Sequence, residues 1–229
     1  MSDSEARIIS IANQKGGVGK TTITMNVAGT LGRRGAKVCV VDADTQQTAL
    51  RWSASAPDER PFPAMVMGLA GTEARVHREV QKVVNDYDYI LIDCPPSAES
   101  PIPQSAFMVS DLVIVPVIPS PPDIVATIGI QSLFENAQYT NETLKGVIVL
   151  SRKPGETNIG KACEEALEDF NLPVARTALH NLIGYSESFG VGGTVHDVGS
   201  NRSTPMAEVE ALTNEILAYL HPEILEKTG

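Results

Sequence analysis

Five short runs of apolar, largely β-branched residues punctuate the chain: Ile8-Ile9-Ser10-Ile11-Ala12, Val38-Cys39-Val40-Val41, Tyr89-Ile90-Leu91-Ile92, Leu112-Val113-Ile114-Val115 and Val147-Ile148-Val149-Leu150. A strand with water on one face alternates polar and apolar residues; a strand covered on both faces does not, and these runs do not. The stretches between them carry helical spacing. Ile23, Val27 and Leu31 recur at every fourth residue ahead of Gly32 and Gly35, which predicts a first helix with a buried stripe, closed by those glycines. Val76, Val80, Val83 and Val84 predict a helix over residues 72–85, and Val209, Leu212, Ile216 and Leu220 predict a last one. Buried strands alternating with helices make an α/β fold, a mostly parallel twisted sheet with helices on both faces. No linker divides the 229 residues, so a single domain over 1–229 is expected. Pro116 and Pro119 should end the strand that begins near Asp111, because proline donates nothing to a sheet ladder, and residues 116–122 read as a stiff crossover loop.

Composition narrows the function classes. The three cysteines, Cys39, Cys94 and Cys163, are widely spaced, which gives neither a disulfide framework nor a paired metal site. The four histidines, His77, His180, His196 and His221, lack ligand spacing, so no structural metal is expected. No signal segment is visible and no run approaches the ~18 apolar residues that span a bilayer, so a cytoplasmic protein is expected. The net charge of −10 means that any contact with nucleic acid must come from a local basic patch.

The chemistry is carried by Asn13-Gln14-Lys15-Gly16-Gly17-Val18-Gly19-Lys20-Thr21-Thr22, which follows the first strand and opens the first helix. A glycine-rich turn there aims backbone amides at phosphate oxygens, with no Cβ in the way at Gly16, Gly17 and Gly19. Lys20 would set its ammonium against the β- and γ-phosphates of ATP, and the Thr21 hydroxyl would ligate Mg²⁺. The strict phosphate-loop pattern has glycine at position 14; this chain has Gln14, followed by the additional Lys15. Asp42, Asp44 and Asp93 fall at or just past the carboxyl ends of predicted strands, where open α/β sheets bind ligands. Carboxylates there repel a polyphosphate unless a cation lies between, so Asp42 and Asp93 read as holding Mg²⁺ through its waters.

Lys15-Gly16-Gly17-Val18-Gly19-Lys20-Thr21-Thr22 resembles the deviant Walker A motif of the ParA/MinD family of ATPases. Val40-Val41-Asp42-Ala43-Asp44-Thr45-Gln46 is similar to that family's second motif, with Thr45 where many relatives have proline, and Tyr89-Ile90-Leu91-Ile92-Asp93-Cys94-Pro95-Pro96 is similar to its Walker B. The likeness continues through residues 106–116 to the C-terminal helix; with Trp52 and the Pro-Val-Ile-Pro-Ser-Pro stretch, it is most like the small ParF type of plasmid partition ATPase. The resemblance implies Mg²⁺-dependent ATP hydrolysis, with Asp44 positioning the attacking water. It also implies an ATP-driven homodimer in which Lys15 reaches the phosphates held by the other subunit, as an arginine finger does.

Arg152, after the fifth strand, is similar in position to the family's base-proximal segment; Arg152 and Lys153 could equally serve DNA. The partition reading has the dimer bind DNA without sequence preference, with Lys153, Lys161, Arg176 and Arg202 as candidate contacts. An adaptor of the ParB or ParG kind would stimulate hydrolysis, so that a nucleoid-associated cycle moves a plasmid, chromosome locus or protein cargo. A membrane-cycling, MinD-like reading requires a basic amphipathic tail, whereas residues 207–229 hold Glu208, Glu210, Glu215, Glu223 and Glu226 against Lys227. Cluster carriers need paired cysteines, tyrosine kinases of this fold a C-terminal tyrosine cluster, and a repressor a preceding helix-turn-helix, none of which the sequence offers. A carboxylating ligase stays open, since fold does not imply function.

Overall fold

The computed structural model describes residues 5–97, 99–155, 157–199 and 202–222, apart from the side chain of residue 73. Six parallel strands form its sheet: β1 (Arg7–Ile11), β2 (Val38–Asp42), β3 (Met65–Gly68), β4 (Tyr89–Asp93), β5 (Leu112–Val117) and β6 (Lys145–Leu150), in the order β3-β2-β4-β1-β5-β6. Eight α-helices accompany them among the described residues: α1 (Lys20–Arg33), α2 (Thr48–Ala54), α3 (Val76–Gln81), α4 (Ile102–Phe107), α5 (Pro121–Gln138), α6 (Asn158–Leu167), α7 (Ile183–Gly190) and α8 (Ser203–Leu220).

The continuous apolar runs are explained by two cores, one on each face of the sheet. Ile8, Cys39, Val41, Ile90, Ile92, Val113 and Val115 pack with residues of α3, α4 and α5. Their neighbours Ile9, Ile11, Val38, Val40, Leu91 and Ile114 pack on the opposite face with Ile23, Val27 and Leu31 of α1 and Val209, Leu212 and Ile216 of α8. Successive strand side chains point to opposite faces, so covering both faces favours an apolar residue at nearly every position; the exception in β1, Ser10, shares a hydrogen bond with Ser110.

Three expectations are corrected. The helix expected over 72–85 is a 3₁₀ turn (Ala70–Arg75) followed by the short α3, because Thr72 donates its amide and hydroxyl to Leu69 O, and the amides of Lys82 and Val83 close i→i+3 bonds. Val76, Val80 and Val84 are nonetheless buried as a set. Pro116 does not end β5, which continues to Val117 and pairs there with Leu150. Ile114 turns its carbonyl to Ala12 N on the β1 side, so Pro116, two residues on, faces the same side, where β1 has already stopped. Its missing N–H therefore breaks no ladder bond, and its carbonyl accepts from Asn13 Nδ2 at 2.7 Å. The loop is also shorter than expected: only Ile118, Pro119 and Ser120 separate β5 from α5, which Pro121 and Pro122 open, positions where helices tolerate proline.

Candidate phosphate-loop site

β1 delivers the chain into residues 12–19 at the carboxyl edge of the sheet, and α1 begins at Lys20. Gly17 and Gly19 have φ of 77° and 92°, a region that only glycine enters at little cost. Val18, wholly buried between them, anchors the turn. Two side chains fasten it from outside. Asn13 is buried and bridges β5 to the loop, donating to Pro116 O and accepting Lys15 N at 3.0 Å. Arg152 donates from Nη1 to Gly17 O at 2.9 Å, and itself holds a left-handed φ of 49°. A non-glycine residue in that region is strained by about 1–3 kcal/mol, and here the strain accompanies the turn that brings the guanidinium to the loop.

Lys20 is buried with Nζ donating to Lys15 O at 2.9 Å. Burial draws its pKa below the ordinary lysine value, against the opposing pull of Asp93, Cys94 and Asp44. Asp93 and Asp42 are partners in register at the ends of β4 and β2. Thr21 Oγ1 donates to Asp93 Oδ2 at 2.6 Å. Burial pushes the Asp93 carboxyl up to about 7, the Thr21 bond pulling down and Asp42 pushing up. Asp42 is also raised, first by burial; its two oxygens accept Asp44 N at 3.2 Å and Leu50 N at 3.0 Å. Asp42 thus shapes the turn that carries Asp44, whose Oδ1 accepts Gln46 N at 3.0 Å.

Two buried carboxylates side by side, with a hydroxyl on one of them, form a site short of positive charge, which suits a divalent cation. Among the described residues no group of three or more His, Cys, Asp or Glu side chains would cage a metal by itself. The set fits Mg²⁺ bound with phosphate: Thr21, Asp93 and Asp42 are the residues that would hold it, and the ion would supply the positive charge the site lacks.

A cleft of about 490 Å³ opens over the loop and brings together Gly17, Gly19, Lys20, Thr21, Thr22, Asp44 and Arg152. Its far wall is formed by Leu179, His180 and Leu182 with Tyr185 and Phe189 of α7, large enough and apolar enough for a nucleoside. A wider hollow of about 830 Å³ lies where β6 begins, beside Lys145, Phe134 and Tyr219, and contains none of the loop residues. Lys15 turns away from the cleft and forms an ion pair with Asp123 of α5 at 2.6 Å.

The four candidate DNA contacts do not form one compact patch. Lys153 and Lys161 share a small hollow beside α6, where Lys153 pairs with Glu164 at 2.8 Å. The Arg176 amide donates to Glu215 on α8, and Arg202 is the N-cap of the same helix, about 20 Å away at 1.5 Å per residue. Of the acidic residues expected in the C-terminal segment, Glu208 binds His180 and Tyr185, Glu210 binds Arg34, and Glu215 binds the amides of Arg176 and Thr177. Glu223, Glu226 and Lys227 lie outside the described residues. No described helix is long and apolar enough to cross a membrane.

Sequence reasoning placed Asn13 in the loop without giving its side chain a task, and missed Asp123. Ser120-Pro121-Pro122-Asp123 is a legible signal for the last, a capping serine and first-turn prolines with an acid at the third helical position.

A glycine-rich turn between β1 and α1, with carboxylates at the ends of adjacent parallel strands, defines a phosphate-loop nucleotide-binding domain. Residues 9–191 match the CobQ/CobB/MinD/ParA nucleotide binding domain, and the chain belongs to that family. It is 29% identical over 217 residues, 95% of this chain and 99% of the other, to the maintenance of carboxysome distribution protein A of Halothiobacillus neapolitanus. It is 28% identical to the sporulation initiation inhibitor protein Soj of Bacillus subtilis, covering 80% of this chain and 87% of that one. Among solved structures, apo McdA of Cyanothece superposes with a TM-score of 0.76 at 15% identity, covering 92% of this chain and 99% of that one. MinD of Pyrococcus horikoshii, complexed with Mg-ADP, superposes with a TM-score of 0.69 at 23% identity, covering 92% and 96%.

Proposed function

We propose that this chain is a Mg²⁺-dependent ATPase of the positioning type, which dimerises on ATP and moves a cargo by cycles of hydrolysis. The observation that supports it most is the convergence of Lys20, Thr21 and Asp93 on one loop beneath a cleft that Asp44 also lines. In this reading the amides of Gly16 to Thr22 and the Lys20 ammonium hold the phosphates, and Arg152 steadies the loop near the nucleoside. Bound Mg²⁺ would neutralise charge on the β- and γ-phosphate oxygens. Asp44 orients the attacking water, and Lys15 supplies a second cation to the nucleotide of the other protomer.

The carboxysome-distribution relative aligns over nearly its whole length, and Soj and a chromosome partitioning ParA of Caulobacter vibrioides are also matched. These names support a nucleoid-associated, cytoplasmic cycle with an adaptor, and the first of them favours a protein assembly as cargo over a plasmid. Non-specific duplex DNA is the matrix in this reading. The net charge of −10 requires that Lys161, Arg176 and Arg202 act with their counterparts on a second protomer, since a single protomer presents them apart.

Fluorescence anisotropy on random-sequence duplex, with sedimentation in parallel, tests this. Dimer and DNA binding should both appear with MgATP and vanish with MgADP. If a dimer neutralises about four phosphates, log affinity falls with log salt at a slope of about −3.6. A demonstrated ATP dimer that ignores DNA at low salt would remove the nucleoid reading and leave the ATPase.

A further inference from the structure

Asp44 stands on a turn that leads into α2. Its carbonyl accepts Gln47 N at 3.0 Å, and α2 begins at the next residue, Thr48. Thr48 and Trp52 lie at i and i+4 on one face of that helix, and both line the cleft with Asp44. A helix of seven residues is not stable by itself, so the groups that anchor α2 decide where Asp44 stands. Asp42 ties down its start, accepting Leu50 N at 3.0 Å. A tether at one end leaves a helix free to pivot, and Trp52 supplies a second one. It is 2% exposed, stands T-shaped to Phe189 of α7 with 5.3 Å between ring centroids, and donates from Nε1 to Gly193 O at 2.8 Å.

Gly193 belongs to a stretch that α1 holds in turn. Asn26 Oδ1 accepts Val195 N at 2.8 Å, and the Thr194 methyl packs so closely on Gly29 that a Cβ there would come within 2.2 Å of it. Gly192, with a φ of 62°, is pressed against the chain just past α2, where a Cβ would meet Ala56 N at 2.0 Å. The phosphate loop runs directly into α1. A continuous path of contacts therefore leads from the loop along α1 to residues 193–195, across the indole to α2, and back to Asp44.

We infer that Trp52 is a positioning residue for hydrolysis: through Gly193 and α1 it references the turn that carries Asp44 to the phosphate loop, and so sets where Asp44 meets the attacking water. This rests on the proposed role of Asp44 in orienting that water. Nucleotide affinity in the same reading comes from the loop amides and Lys20, so a displaced α2 slows hydrolysis without releasing nucleotide. A misplacement of about 1 Å in a group of this kind can cost on the order of a hundredfold in rate.

ATP turnover of the full chain with Mg²⁺ gives kcat and KM, and calorimetry gives the affinity for MgADP. Trp52→Phe keeps a ring against Phe189 and deletes the N–H. It should lower kcat on the order of tenfold and leave KM and MgADP affinity within about threefold. A merely structural Trp52 would lower the melting temperature with kcat unchanged, or weaken MgADP binding as much as turnover; either result overturns the inference. In an Asp44→Ala background, the residual turnover of labelled ATP should fall by less than about twofold on adding Trp52→Phe, because coupling vanishes when one member is gone. A full tenfold fall there also overturns it. Gly29→Ala approaches the same stretch from the far side, its new Cβ pushing on the Thr194 methyl. It should lower kcat with MgADP affinity kept. Adding Thr194→Ser, which removes the methyl and keeps the hydroxyl that bonds Asp197, should restore most of the loss. Should Trp52→Phe fail to fold, this pair decides: loss with recovery supports the inference, and unaltered kcat, or a loss that Thr194→Ser does not relieve, overturns it. If Asp44→Ala alone turns over ATP like the wild-type chain, the role of Asp44 is wrong and the inference falls with it. If Asp44→Ala is slow and Trp52→Phe is normal, only the inference is wrong.

Discussion

Lys15 and Lys20 stand five residues apart in one turn, yet their surroundings give them opposite tasks. Lys20 is sunk beneath the loop with its pKa drawn down by burial, and its ammonium is turned inward to a backbone carbonyl until a better acceptor arrives. Replacing it should remove the buried cation beneath the loop, in a partly desolvated pocket where charge-assisted hydrogen bonds are strong. Lys20→Ala is therefore expected to lose tight ATP binding, by at least about a hundredfold in titration calorimetry; unchanged affinity would contradict the loop assignment. Much at this scale was legible in the sequence, because the turn needs glycine where φ is positive and a cation where phosphate sits. Gly17 and Gly19 meet that requirement; Gly16 does not need to, since its φ is ordinary and a Cβ there would meet Pro96 at 3.8 Å. Contacts that close over long sequence separation were not legible. Asn13 to Pro116 and Lys15 to Asp123 depend on where β5 and the turn after it bring the chain, and Arg152 to Gly17 on the turn after β6.

Among the elements, α1 and α8 carry the site by packing on one sheet face through Ile23, Val27 and Leu31 against Val209, Leu212 and Ile216. Between them the segment from Gly193 to Asp197 is pinned by Trp52 Nε1 on Gly193 O, by Asn26 Oδ1 on Val195 N and by Asp197 on Thr194 N. Asp197 also pairs with Arg33 at the end of α1. Burial raises the Asp197 pKa, but the Thr194 amide and Arg33 outweigh it and hold the carboxyl below its ordinary value. A depressed carboxyl contributes stability above its unfolded pKa, and that contribution is lost as pH falls through the folded one. Asp197→Asn should thus lower the urea midpoint at pH 7, and the gap from the wild-type chain should close toward pH 3; a gap that is independent of pH would show that charge is not what Asp197 contributes. The strands that sequence patterning found are those covered on both faces. β3 escaped it because its run, Met65-Val66-Met67, is short and mostly unbranched, on an edge strand with Met65 largely exposed, and α5 escaped it because its entry is written in prolines that also serve loops.

For the whole molecule, the proposed function has this chain act as a pair, and the loop's additional lysine is the residue on which that proposal turns. In that proposal one protomer would hold nucleotide with Lys20 and Thr21 in the cleft that Asp44 lines, while its own Lys15 is turned to Asp123. Closure of a second protomer would complete the cation set and double the few basic residues available to an acidic protein. The most direct test mixes two variants, Lys15→Gln and Asp44→Ala, each lowered by about 10²–10⁴ in ATP turnover when assayed alone, the usual loss for a positioned catalytic group. In an equimolar mixture about half the dimers are mixed, and each of these holds one site with Asp44 from one protomer and Lys15 from the other. The account predicts that ATP turnover reappears in the mixture, well above either variant alone. No recovery, with mixed dimers demonstrated by sedimentation or affinity capture, would contradict it.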